Sequence, residues 1–203
     1  MLHLAFALLA CAPDVTQDKP AADAGPAVPT AAAPPAPARA PGLPVDKTRS
    51  SVVAVGAKVT GSHELTFTEF SGELGLDGEA FVNVVAKVGV ASVSTDSEKL
   101  TSHLLTEDFF SAQQFPEATF ASSMVTPGGE NGATHTIKGT LNLRGVSREI
   151  TFPATVAITP TEVTARAEFS INRADFGVVY PGKPDNLIQD GVVLRLLLVA
   201  PRG

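Results

Sequence analysis

The chain has 203 residues, 21 acidic against 15 basic side chains, a formal net charge of −6, and a single cysteine. The length suits one domain with appendages, the lone cysteine excludes an internal disulfide framework, and the scattered charges without a basic run argue against nucleic-acid binding. No apolar run reaches the length needed to cross a bilayer as a helix.

In chain order, "MLHLAFALLACAPD" carries an apolar run from Leu2 to Leu9, then Leu8-Leu9-Ala10-Cys11. This resembles a bacterial lipobox, in which the Cys11 thiol is lipidated and becomes the new N-terminus. Residues 1–11 are therefore expected to be a lipoprotein signal. Several acyl chains would make the product membrane-anchored, not membrane-spanning. By the same resemblance, Ala12 after the cysteine favours the outer membrane, on the periplasmic side. Residues 12–44 are dominated by Ala and Pro, with Leu43 the only large apolar side chain. Such a segment cannot offset its ordering entropy, so a disordered, polyproline-like tether is expected.

From residue 45 to 203 the composition shifts to Val, Thr, Phe and Ile. In "AFVNVVAKVGV" Asn83 and Lys87 mark one face, and Val82, Val84, Ala86, Val88 and Val90 the other. "THTIKGTLNL", "REITFPATVAI" and "EVTARAEFSI" alternate in the same way. Further strands at about 50–60, 64–74, 116–125 and 189–200 bring the total to about eight, joined by short turns such as "LDGE", "PGGENG", "RGVS" and "TPTE". The fold expected is all-β: an eight-stranded antiparallel barrel, with a two-sheet sandwich as the alternative. One short helix interrupts it. "STDSEKLTSHLL" offers Thr95 as N-cap with Glu98 at capping-box spacing. The "EDFFSAQQFP" that follows places Phe109, Phe110 and Phe115 on a helical insertion, where they can fold over an open end of the barrel.

A barrel of eight strands either fills itself with side chains or holds one small ligand. The inward set is mostly Val-, Ala-, Ile- and Thr-sized, with Phe67, Phe120, Phe152 and Phe169 as its large members, and the pattern alone leaves the choice open. The stretches "HLLTEDFFSAQQFPEATFASS", "IKGTLNLRGVSREITFPATV" and "FSINRADFGVVYPGKPDNLIQDGVVLRLLLVA" together resemble the YceI-like family of bacterial lipid-binding proteins. The resemblance implies a lipocalin-like barrel, an apolar channel for polyisoprenoid chains such as quinone tails, and an exported location.

Strand parity nominates Phe67, Val82, Val84, Val88, Phe120, Met124, Ile137, Leu141, Phe152, Val156, Phe169 and Leu196 as the lining, with Phe109 and Phe110 near one end. Parity is fragile, because a one-residue slip exchanges whole faces. Arg173 and Asp175 read as a strand-end ion pair, Arg144 as a solvated turn residue, and His103 as a structural residue or head-group contact. Tyr180, the only tyrosine, reads as packing against loop prolines. No metal-ligand spacing, nucleophile elbow or phosphate cradle is present in the sequence. A non-enzymatic carrier of an isoprenoid lipid, without cofactor, is expected. The alternatives are an envelope interaction protein with a filled barrel and a lipid-processing enzyme. The oligomeric state is left open, a dimer included.

Overall fold

Alternating apolar and polar residues become strand segments joined by tight turns, all within one antiparallel sheet. The computed structural model describes residues 14–28 and 42–202, so Cys11, the rest of the expected signal and residues 29–41 of the expected tether lie outside the described residues. The segments are β1 (Asp23–Val28), β2 (Gly42–Pro44), β3 (Ser51–Lys58), β4 (Gly61–Phe67), β5 (Phe70–Asp77), β6 (Ala80–Gly89), β7 (Val93–Ser94), β8 (Glu117–Pro127), β9 (His135–Leu143), β10 (Val146–Ile158), β11 (Glu162–Asn172), β12 (Gly182–Lys183) and β13 (Asn186–Pro201), with helix α1 (Glu98–Leu104) between β7 and β8.

The sheet runs β2-β5-β6-β8-β9-β10-β11-β13-β3-β4-β7. β4 leads into β5 across two residues, and β6 leads into β7 across a 3₁₀ turn. Because β7 pairs β4 while β5 pairs β6, the hydrogen-bonded path returns to its own start. The count exceeds eight because bends divide two long strands and short segments add three more. Counted as continuous courses, the wall is the expected barrel.

Helix α1 is capped two residues later than expected. Ser97 is its N-cap, accepting a hydrogen bond from the Leu100 N–H at 3.4 Å. Thr95 is occupied elsewhere, donating to the Ser97 carbonyl at 2.9 Å and lying 3.0 Å from the Thr101 hydroxyl.

Two bulges reset strand parity. In β6 the register slips opposite Gly75 and Leu76, leaving Val82 as an extra residue. In β8 it slips opposite Gly139 and Lys138, leaving Ser123 extra. Each bulge turns the residues beyond it to the opposite face.

The expected tether is also corrected in part. β10 and β11 pair only along Thr155–Ile158 with Val163–Arg166. Pro153, which has no backbone donor, stands near the point where they part. Residues 20–28 fill the slit beyond. β1 pairs β10 from Asp23↔Thr151 to Val28↔Ser147. Ser170 N–H donates to the Pro20 carbonyl at 2.9 Å, and Ala22 N–H donates to the Ser170 carbonyl at 2.7 Å. Lys19 adds an ion pair to Glu168 at 3.2 Å, and Ala22 and Ala24 pack on the core. Composition misled here because backbone hydrogen bonds to two open strand edges need no large side chains.

At one end of the barrel, "INRADFG" becomes a 3₁₀ turn over Arg173–Phe176. The Asn172 side chain accepts from Ala174 N–H at 2.9 Å, Phe176 is fully buried, and Gly177 takes φ 73°. Arg173 is not a surface strand-end residue: only 7% of it is exposed. Its Nη1 donates to the carbonyls of Val178 (2.8 Å) and Tyr180 (2.9 Å), and its Nε to Gln189 (3.0 Å). Its Nη2 donates to Ile188 (3.4 Å) and reaches the Asp190 carboxylate at 3.0 Å. Asp175 pairs instead with Arg148, at 3.5 Å. Arg144 is not free in solvent either; it donates to the carbonyls of Gly177 and Glu107. Phe115, expected in the lid, packs on the β9–β10 turn, where a Cβ on Gly145 would stand 2.5 Å from its ring.

Two outcomes follow for stability. Deleting residues 14–28 should cost about 2 kcal/mol, roughly 4–8 °C in Tm by thermal unfolding; an unchanged Tm would mean that the strap contributes nothing. Arg173→Lys offers three donors where five are used, so a loss of about 3 kcal/mol is expected in denaturant unfolding. With no tryptophan in the chain and Tyr180 as the sole tyrosine, a changed tyrosine emission in that variant would report the released loop directly.

Candidate functional site

Two apolar clusters form inside the barrel. The larger includes Leu74, Phe81, Val84, Ile137, Ile150, Phe152, Val163 and Phe169 from the strand walls, with Phe176 from the 3₁₀ turn. The smaller joins Ala54, Leu65 and Val93 to Leu104, Phe109 and Val178 from the insertion and the loop after Arg173. Between them lies a cavity of about 550 Å³ lined by residues of both. The barrel is therefore not filled from rim to rim, against the filled-barrel alternative.

One end is closed. Leu74, Phe81, Val163 and Ala200 are buried there, near the turns at 77–80 and 159–161, and none of them lines the cavity. Phe120, Phe152 and Phe169 make an aromatic surface in the cavity wall. Phe152 and Phe169 stack with ring centres 4.1 Å apart, and Phe120 tilts onto Phe152 at 5.5 Å. Elsewhere the wall mixes branched side chains such as Leu141, Ile150 and Leu194 with small groups, among them Ala54, Gly56, Ala86, Ala154, Ala165 and Ala167. The small groups leave room near the axis of the closed sheet.

The other end carries α1, the 104–116 insertion, and the loop from Gly177 to Asn186. His103 meets Phe109 and Tyr180 edge-on there, with ring centres 5.0 and 5.1 Å away, Phe109 and Tyr180 tilt onto each other at 5.5 Å, and Phe110 tilts onto Phe67 at 6.1 Å. His103 Nε2 lies 2.7 Å from Asp108 Oδ2, which fixes the ring's orientation. Tyr180 therefore packs on this aromatic group and lines the cavity. Phe109 and Phe110 both line the cavity at this end.

Of the residues nominated by parity, Phe67, Val84, Val88, Phe120, Ile137, Leu141, Phe152, Phe169 and Leu196 meet in the wall. Three do not. Val82 is the bulged residue of β6 and is 36% exposed. Met124 follows the β8 bulge and stands outside, 57% exposed, opposite Lys138; Val125 faces inward in its place, opposite Ile137. Val156 is buried in the larger cluster but outside the cavity wall, where its N–H donates to the Thr134 hydroxyl at 2.8 Å. Strand reading also missed wall residues outside the strands: Leu100 and Leu104 on α1, and Arg173 and Val178 beyond β11. The signal for Arg173 was the irregular loop itself, whose carbonyls needed donors from somewhere.

Among the described residues, no group of three or more His, Cys, Asp or Glu is placed to hold a metal ion. His135, packed edge-on against Phe81 at 5.7 Å, has its imidazole held below the usual histidine range by burial, and it stands outside the cavity.

A UPF0312 protein of Pseudomonas fluorescens is 32% identical over 123 residues, covering 55% of this chain and 62% of that relative, less than two thirds of its length. BcnA of Burkholderia cenocepacia superimposes with a TM-score of 0.68 at 27% identity, over 77% of this chain and 99% of that one. A polyisoprenoid binding domain from Saccharophagus degradans, implicated in plant cell wall breakdown, superimposes with a TM-score of 0.64 over 80% of this chain and 99% of its own. At 17% identity, that likeness bears on the fold alone. The YceI-like domain family matches residues 44–200, from the last residue of β2 to the penultimate residue of β13, and the chain belongs to that family.

Proposed function

We propose that the barrel holds a long apolar chain of isoprenoid type and carries or sequesters it at the cell envelope. The observation that carries this reading is the cavity of about 550 Å³, walled by branched and aromatic side chains and closed at one end. Family membership supports it, as does the polyisoprenoid binding domain on the same fold. An isoprenoid tail offers a protein only apolar area and shape. Burying about 500 Å² of it at about 25 cal/mol per Å² supplies on the order of 12 kcal/mol before association and ordering costs. No charged contact to the tail is required, and a wall of the present composition suffices.

The same reading assigns no catalysis to the site. His103 is engaged with Asp108 and packs edge-on against Phe109 and Tyr180. Phe109 and Phe110 act as a lid in this proposal. Export and anchoring through Cys11 on the outer membrane, facing the periplasm, complete it; the strap would then connect the anchor to the barrel wall. Transfer, storage and protection of the lipid are equally served.

Protein purified from its native host should retain an extractable lipid seen by native mass spectrometry. Ala167 lines the cavity with a small side chain, so Ala167→Phe should reduce the retained lipid about tenfold or more while leaving the fold intact. An apo mass for the unaltered protein under mild conditions would count against a carrier. For the anchor, Cys11→Ser should move the protein from the membrane fraction to the soluble one; continued membrane association would refute lipidation at that residue.

A further inference from the structure

The strands on either side of the strap stand complete without it. β10 keeps a continuous ladder to β9 from Val146↔Leu143 to Ala154↔His135, and β11 keeps one to β13 from Glu162↔Pro201 to Asn172↔Gly191. The strap itself is lightly held. Among its described side chains none is buried: Ala21, Asp23, Pro26 and Ala27 are exposed, and Ala22 and Ala24 are half-buried. Its register on β10 slips between Ala24 and Ala27, across Gly25 and Pro26, and Pro26 has no N–H to donate. Arg148 Nη1 donates to the Gly25 carbonyl at 3.1 Å at that slip.

The seam between the strap and β11 is open on the outside. The two are joined at Ser170, which bonds Pro20 and Ala22. Next to that junction lies a groove of about 520 Å³, with Ala22, Asp23 and Ala24 on one side and Ile171, Asn172 and Asp175 on the other. Ile171 also lines the inner cavity, and it is the one residue common to both walls. Behind the strap, Ile150 and Phe152 of β10 and Phe169 of β11 line the cavity too. The stacked rings of Phe152 and Phe169 bridge the place where the two strands part.

We infer that the strap is a displaceable strand over a side entrance to the cavity. When residues 20–28 lift, the groove and the cavity join past Ile171, and an apolar chain passes sideways through the wall instead of end-on past Phe109 and Phe110. This goes beyond the apolar-chain reading, which names an occupant and not its route. Lifting exposes little apolar surface and leaves both flanking ladders intact, the features of a segment that opens locally. β10 and β11 would then face each other two strand spacings, about 10 Å, apart, with their freed backbone groups open to water. The small side chains of the strap suit this role, because larger apolar ones would anchor it shut.

The test locks the strap. Full-length protein carrying Cys11→Ser, so that the introduced thiols are the only ones, receives Asp23→Cys and Thr151→Cys, which are direct partners across β1 and β10. Oxidation should slow uptake and release of N-phenyl-1-naphthylamine, an uncharged apolar fluorophore, by the same factor, about tenfold in stopped flow, with Kd unchanged. Reduction should restore both rates. Equal rates in the locked and reduced forms would overturn the side entrance and leave the apolar-chain reading standing. A change of Kd without slowing would also overturn it, since the strap would then only shape the cavity. Hydrogen exchange on the unaltered protein gives an independent measure. The amides of Ala22 and Ser170 should exchange roughly a hundredfold faster than those of the β9–β10 ladder, at a rate insensitive to low denaturant. Protection equal to that of the ladder would overturn displacement whatever the fluorophore does. Failure of the reduced protein to take up the fluorophore at all would remove the apolar-chain reading, and the entrance with it.

Discussion

The mouth of the barrel depends on one buried guanidinium. Between Gly177 and the start of β13 the loop has little regular structure, only the two residue pairs of β12 with β13. Its carbonyls near the cavity would otherwise face apolar side chains, at the cost of unmade hydrogen bonds. Arg173 answers several at once, donating to Val178, Tyr180, Ile188 and Gln189 and meeting Asp190. An isolated charge in an apolar wall would be costly, but this one is fully bonded and paired. Tyr180 is held by that network and in turn packs on Phe109 and His103. Phe109 and His103 thus rest on the loop, and the loop on Arg173.

A second constraint comes from the sheet itself. Where β10 and β11 diverge, each presents a row of backbone groups that need partners. The strap supplies them with residues of little apolar area, mostly Ala, Gly and Pro. Its contribution is therefore hydrogen bonding and exclusion of water, with modest packing from Ala22 and Ala24. Residues 14–28 precede the segment matched by the family, yet they complete this barrel's wall.

Most of the wall was legible in the sequence because a half-buried strand imprints a period of two on its residues. The long alternations of β9, β10 and β11 have no bulge in their mutual pairing, and there Ile137, Leu141, Phe152 and Phe169 were placed correctly. Parity failed at Val82 and Met124 because a bulge inserts one residue without any local chemical mark: "FVNVV" and "SSMV" read as ordinary strand. The strap was illegible because composition reports side-chain burial, and this segment is held by its backbone. Arg173 was hidden for a related reason. Its role is defined by carbonyls on a loop whose path the sequence does not disclose. The motif "INRADFG" was recognisable as a signature, but the work of each member emerges only from the fold, with Asn172 capping, Arg173 donating, Phe176 buried and Gly177 at positive φ.

The hollow interior also bears on stability. Relative to a packed core, an empty volume of about 550 Å³ forfeits contacts worth on the order of 10 kcal/mol. That is comparable to the whole stability of an ordinary domain. The closed end, with its fully buried Leu74 and Val163 and the nearly buried Phe81, is where the chain recovers enough packing to fold. The alanines that keep the other part open gain nothing from burial that larger residues would not exceed, so selection for stability alone would have enlarged them. Under the proposed function an apolar occupant would restore the missing contacts and, binding the native state only, would by linkage stabilise the barrel. Folding and cargo would then be coupled through the same cavity wall.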